Sequence, residues 1–317
     1  MFGHRPEGRR VRHMDPIVQA TPYLMPMRCD AMVFLQHDIE YETLTRYITD
    51  KRRNEGVKIT FLEVIIASFI RAISQVPEVN RFIVNKQYYN RTELTCSMTI
   101  LMNTKDGSLQ ENVIKVFFDP SDTIYDVQAR LTAKIDANRE PEKPSFAIKL
   151  ASVALAIPGL TSLIAWLIRG LDRYGLLPGA VIDELPFHTS MFITNNASIG
   201  LHSVYHHIYN FGNTTMFLGL GTPERGYTVD AKGNPKRWCT LPVGITVDER
   251  VCGGSTFAKL FLWMKRCLKN PEMLDIPPEK VFYNEGAEYH VPKPDNAFVP
   301  PAPEVREAPA TVQEAPV

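Results

Sequence analysis

Between Thr60 and Pro77 the chain reads TFLEVIIASFIRAISQVP. Apolar residues wrap most of the circumference that a helix here would have. Phe61, Leu62, Val64, Ile65, Ile66, Phe69, Ile70 and Ile73 leave no broad polar face. Such a helix must be enclosed by other elements. Thr60 stands where an N-cap belongs, and Glu63 three residues later completes a capping box. Pro77 ends the run. A helix buried on nearly all sides needs layers around it. A chain of 317 residues, 44% hydrophobic and 22% charged, is large enough and apolar enough to supply them.

The surrounding pattern mixes both kinds of element. A strand is expected from Met32 toward Glu40, then a helix from about Tyr41 to Glu55, stopped at Gly56. Strands follow near 81–89, 93–103 and 112–118, and an amphipathic helix runs to about Asn138 with Ile124, Val127, Leu131 and Ile135 on one face. The second half offers strands near 189–195, 214–221 and 238–247. It closes on a helix from about Ser255 to Leu268 with Phe257, Leu260, Phe261, Met264 and Leu268 as its apolar stripe. Strands and helices occur in both halves without regular alternation. This predicts an α/β two-layer sandwich with a mixed sheet rather than a doubly wound one.

The ends differ in composition. Residues 1–30 are polar and interrupted by Pro6, Pro16, Pro22 and Pro26, and read as an extended arm carrying the basic run Arg9, Arg10, Arg12 and His13. Residues 286–317 turn to Pro, Ala, Val and Glu and read as a disordered tail. The folded domain is expected over 31–285. Acidic and basic residues balance at 35 each, which gives no electrostatic reason to expect a nucleic-acid partner. Five cysteines without a CxxC pair read as reduced thiols of a cytoplasmic protein, and the charged N-terminus has no apolar run behind it to make a signal peptide.

One segment stands apart. Leu150–Ile168, within an apolar helical insertion at about 145–180, has 19 residues and no charge. That length approaches a bilayer span. Pro158-Gly159 interrupts it, and Arg169 and Arg173 follow it. Two short helices joined by a bend are expected. They would bury their apolar surface within the protein or lie on a membrane surface as a peripheral attachment.

Four stretches together resemble one family. They are Val57–Leu62 leading to Pro77-Glu78-Val79-Asn80, then Phe192-Ile193-Thr194-Asn195, Met216–Gly221, and Val247-Asp248-Glu249-Arg250-Val251-Cys252-Gly253-Gly254. In this order they are similar to the catalytic domain of the 2-oxoacid dehydrogenase (dihydrolipoamide) acyltransferases, and to the related chloramphenicol acetyltransferases. The resemblance covers roughly residues 25–275. It implies a chloramphenicol acetyltransferase-like fold, a homotrimer with its active channel between subunits, and an acyl-CoA or lipoyl thioester as substrate, with no tightly bound cofactor or metal.

The family's loop reads Asp-His-Arg-x-x-Asp-Gly. Its histidine deprotonates the attacking thiol or hydroxyl, its aspartate holds the loop through a buried ion pair, and a serine or threonine on the partner strand donates to the oxyanion. Here the histidine position is Glu249 and the aspartate position is Gly253, while Thr194 keeps the donor position. The resemblance thus implies Glu249 and Thr194 as the catalytic positions, facing one another across a channel. Asn195, Asp248, Arg250, Gly253 and Gly254 would support them.

A carboxylate near pKa ~4.3 is a poor base for a thiol near ~8.5 unless burial raises it. The alternative is that Glu249 pairs with Arg250 or a neighbour and fixes the loop. Cys252 reads as a buried thiol rather than a nucleophile. His206 and His207 are alternative bases, because they follow the Thr194 strand closely. His202 and His206 have the i,i+4 spacing of a helical metal pair, but the surrounding glycines and aromatics argue against a metal site. Two functions stay open: an acyltransferase working through substitute residues, or a catalytically inactive scaffold or partner-binding subunit.

Overall fold

The computed structural model describes residues 5–103, 109–138 and 155–300. Its centre is the helix α3 (Phe61–Gln75), third of the helices in chain order. The capping box forms as its residues dictate. The Thr60 amide donates to Glu63 Oε2 at 2.6 Å, and the Glu63 amide donates to the Thr60 hydroxyl at 3.3 Å. All positions from Glu63 to Ser74 are buried.

The strands, in chain order, are β1 (Gly8–Arg10), β2 (Met32–Glu40), β3 (Arg81–Val84), β4 (Gln87–Arg91), β5 (Leu94–Asn103), β6 (Leu109–Phe118), β7 (Met191–Asn195), β8 (Met216–Leu220), β9 (Glu224–Val229) and β10 (Pro235–Asp248). The helices are α1 (Pro16–Leu24), α2 (Tyr41–Asn54), α3, α4 (Ile124–Ala137), α5 (Leu160–Arg173), α6 (Gly179–Glu184) and α7 (Gly254–Lys269). The main sheet runs β2-β10-β8-β7-β5-β6, with β9 added to the far part of β10. It is mixed: β5, β7 and β8 are mutually parallel, and the remaining pairings are antiparallel.

One face of this sheet packs on helices. Ile193, Leu218, Ile245 and Val247 join α3, α4 and α7 in a single hydrophobic core that includes Ile66, Phe69, Leu131 and Leu260. The result is the expected two-layer α/β sandwich with a mixed sheet. The opposite face carries a smaller cluster of Phe192, Phe217 and Ile208, supported by Phe187 and Tyr209.

The expected strand at 81–89 is a hairpin. Asn85 and Lys86 take positive φ values of 49° and 62° between β3 and β4, the geometry of a tight two-residue turn. A small sheet β1-β4-β3 forms there.

Both chain ends differ from their expectation. The N-terminal arm is not simply extended: it contributes β1 to the small sheet, then forms α1 with Asp15 as its side-chain cap. Arg5 and Glu7 are buried, because Arg5 finds carboxylate partners inside the fold. The tail, expected to be disordered from 286, follows the domain surface without regular secondary structure as far as residue 300. Ala287 is buried, Tyr289 and Phe298 pack on the main core, and Lys293 reaches Asp126 at 2.6 Å. Aromatic and ionic anchors thus override the composition. Residues 301–317 lie outside the described residues.

Candidate functional site

The motif loop follows β10 and starts α7. Asp248 is fully buried and takes both arms of the Arg250 guanidinium, Nε at 2.8 Å and a terminal nitrogen at 2.7 Å. It also accepts the Arg250 amide at 3.2 Å. Arg250 donates to the Met25 carbonyl, and the Tyr88 hydroxyl donates to the Arg250 carbonyl. The loop is therefore held by a bidentate, desolvated ion pair with its geometry fixed on both partners. Arg250 pairs with Asp248, not with Glu249 as the structural alternative supposed. Glu249 is exposed, and its amide donates to the Ala31 carbonyl at 3.0 Å. Gly253 caps α7 and Gly254 begins it; both are exposed with open space where a side chain would stand. Burial pushes the Cys252 thiol up to about 12, so it is a protonated packing group rather than a thiolate.

Thr194 lies on β7, level with Gly219 of β8 and, through it, Gly244 of β10. These three point to the face away from the helices. There the segment after β7 crosses the sheet as an irregular strap. The Val204 carbonyl oxygen would stand 2.5 Å from a Cβ at Gly219 and 2.3 Å from one at Gly244, so this lane must be glycine. The Thr194 hydroxyl, half-buried, donates to Asn196 Oδ1 at 3.1 Å.

Asn195 turns to the other side. With Phe61, Leu131, Leu220 and Leu241 it lines a cavity of about 420 Å³ at the edge of the helical layer. Alternation along the strand thus separates Thr194 and Asn195 onto opposite faces.

Within one chain the loop and Thr194 do not meet. Asp248 lies four residues beyond the Gly244 level on β10, two strands from β7. Standard strand spacings put Thr194 and Asp248 roughly 17 Å apart, with Glu249 just past the end of β10.

His206 lies on the Thr194 face, its ring stacked on Phe217 at 4.0 Å between centroids. Its Nδ1 is 2.9 Å from the His207 carbonyl, which assigns the proton to that nitrogen. His207 is exposed. The His202–His206 spacing has no helix beneath it, since 201–209 has no regular secondary structure, so the two rings do not share a helix face.

A buried ionic cluster was not anticipated from the sequence. Arg5 binds Glu7 at 2.7 Å and Asp172 at 2.6 Å, and Asp172 also contacts His188 Nε2 at 3.0 Å. Asp172 was the available signal, as an acid at the end of an apolar run. His188 is fully enclosed, which keeps it from any substrate.

The apolar segment is described from Leu155; its residues 150–154, with the insertion from 145, lie outside the described residues. The expected bend is at Gly159, whose φ is 82°. The helix beyond it, α5, is not short: its 14 residues run to Arg173. Ile164, Ile168 and Leu171 are half-buried, but one apolar side faces outward: Leu163, Trp166 and Leu167 are 59%, 72% and 50% exposed. Among the described residues, no helix is long and apolar enough to cross a membrane.

No family model matches the sequence, and no curated protein matches it either. Solved structures similar to it include a probable dihydrolipoamide acetyltransferase from Listeria monocytogenes 4b F2365. That match is 12% identical, covers 83% of this chain and 95% of the other, and has a TM-score of 0.49. A truncated catalytic core of the 2-oxoacid dehydrogenase multienzyme complex from Thermoplasma acidophilum is 14% identical over 83% and 99% of the two chains, TM-score 0.48. A chloramphenicol acetyltransferase is 12% identical over 83% and 100%, TM-score 0.48. These are likenesses of fold. The chain's own sheet order and register define its class, a two-layer α/β sandwich on a mixed sheet.

Proposed function

We propose that this chain is a catalytically inactive relative of the acyltransferases, a partner-binding subunit that assembles as a homotrimer. The observation that carries this reading is the state of Thr194. Its hydroxyl donates to Asn196 instead of standing free for an oxyanion, and within the chain it is roughly 17 Å from the loop that would carry the base. A neighbouring copy would bring Glu249 to the channel, and a carboxylate is badly matched to a thiol or hydroxyl proton. The Asp248–Arg250 pair still holds the loop, so the scaffold is kept where the chemistry has gone. Assembly is supported by apolar side chains on the Thr194 face: Phe34 and Tyr205 touch edge to face at 5.7 Å and are each 50% exposed.

The test is acetyl-CoA with a panel of thiols and amines, followed by free-thiol release. No release above buffer is expected. Release that disappears in Thr194→Ala or Glu249→Gln defeats the proposal and restores the acyl-thioester transferase reading. Light scattering after size exclusion tests the trimer; a monomer at micromolar concentration defeats that part.

A second reading, peripheral membrane contact, is favoured by one observation, the outward Leu163, Trp166 and Leu167 of α5.

A further inference from the structure

A second cleft lies away from Thr194. It has a volume of about 510 Å³ and is formed where the end of α1, the β3–β4 turn, the end of α5 and the loop after 209 come together. Its ionised walls are Arg28, Lys86, Arg169, Arg173 and Arg250 against a single carboxylate, Asp172. Two of these charges are already compensated. Arg250 is paired with Asp248, and Asp172 with Arg5 and His188. The other four cations have no carboxylate partner among the described residues.

Arg28 is the telling member. Its side chain belongs to a residue only 6% exposed, yet its partners are neutral: the carbonyls of Asn210 at 2.9 Å and Ile83 at 3.0 Å. Its Nε has no partner among the described residues. A buried guanidinium with an unspent N–H is costly unless something anionic completes it. Burial lowers its pKa to about 10, with Asp248 opposing that shift. At the rim, Arg173 is held by Asn85 Oδ1 at 2.9 Å, and Lys86 sits over the Tyr23 ring at 4.5 Å. The positive-φ turn at Asn85–Lys86 presents both residues to the cleft.

We propose that this cleft binds a phosphate monoester. A guanidinium whose Nε–H is unspent, two cations at the rim and neutral amides from Asn85 and Asn210 suit a compact dianion with several acceptor oxygens. The ester arrives either on a soluble metabolite or as the headgroup of a lipid lying under the apolar face of α5.

The full chain is titrated by calorimetry with inorganic phosphate and with glycerol phosphate. It is also floated with phosphatidylcholine vesicles, pure or doped with phosphatidic acid. Saturable binding is expected, weakened about tenfold or more in the rim variant Lys86→Gln with Arg173→Gln, which leaves the buried Arg28 in place. The variant Arg9→Gln with Arg12→Gln, on the exposed N-terminal run, should bind as the parent does. Binding to glycerol phosphate without vesicle preference assigns the soluble source, and binding to phosphatidic acid vesicles alone assigns the lipid; either supports the site. No saturable response to any probe overturns it. So does equal weakening in the rim and N-terminal variants, which would mark unspecific charge attraction.

Discussion

Asp248 and Arg250, two residues apart in sequence, face each other across a two-armed ion pair with side chains 0% and 3% exposed. Removing the carboxylate leaves a buried guanidinium unneutralised. Asp248→Asn should therefore cost about 3–5 kcal/mol. Urea unfolding measures it, and a change within error of zero would show that water or a neighbour replaces the carboxylate.

The Gly244 lane makes a second prediction. A Cβ at Gly244 would stand 2.3 Å from the Val204 carbonyl oxygen, a backbone atom that cannot rotate away. Gly244→Ala should destabilise by about 1–3 kcal/mol through forced displacement of the strap. Gly254→Ala, at the first position of α7 with open space around it, should be neutral or stabilising by up to about 1 kcal/mol. Thermal unfolding of the two side by side separates packing from chain entropy.

Acid should act through Asp172. Burial pushes its carboxyl up, but His188 and Arg5 outweigh this and hold it below the ordinary value. The unfolded chain then binds the proton more tightly than the folded one. The stability from this group is present above pH about 4 and is lost as pH falls through the lower folded value. In Asp172→Asn the stability–pH curve below about pH 4 should be flatter than in the parent. Equal slopes in both proteins would assign acid sensitivity to other groups.

If α5 meets lipid, the contact must run through its outward apolar side chains. Replacing Leu163, Trp166 and Leu167 together by Ser should abolish flotation with vesicles while leaving the fold intact, because none of the three is buried. A parent protein that stays at the bottom of the gradient with neutral and anionic vesicles alike ends the membrane reading.

The final ordered stretch should matter for stability despite its composition. Deleting residues from 286 onward removes Ala287, Tyr289, Phe298 and the Lys293–Asp126 contact. The loss should be about 2 kcal/mol or more from apolar burial alone. A truncated chain with an unchanged urea midpoint would show the stretch to be an ornament on a complete domain.

Local signals made much of this molecule legible. The capping box at Thr60 and Glu63, the all-round apolarity of α3, the stripe of α7 and the break at Gly159 are properties of neighbouring residues. Helix period and backbone sterics act on them directly. The mixed sheet followed from element types and the family-like stretches. Composition misled at both ends. Arg5 and Tyr289 are anchored by residues far along the chain, Asp172 for the one and Asn80 with the main core for the other, which no window around them contains.

The sequence by itself determined which residues the loop after β10 carries, Glu249 and Gly253 among them, and that no histidine stands between Val247 and Gly254. Tertiary structure alone decided that Arg250 closes on Asp248 and that Thr194 gives its hydroxyl to Asn196. It also decided that Thr194 and Asn195 look out from opposite faces, and that Arg28, Lys86 and Arg173 share one cleft. Residue identity sets what a group can donate, accept or ionise. Which partner it meets depends on strand register and on contacts between segments more than a hundred residues apart, and those exist only once the sheet has closed on its helices.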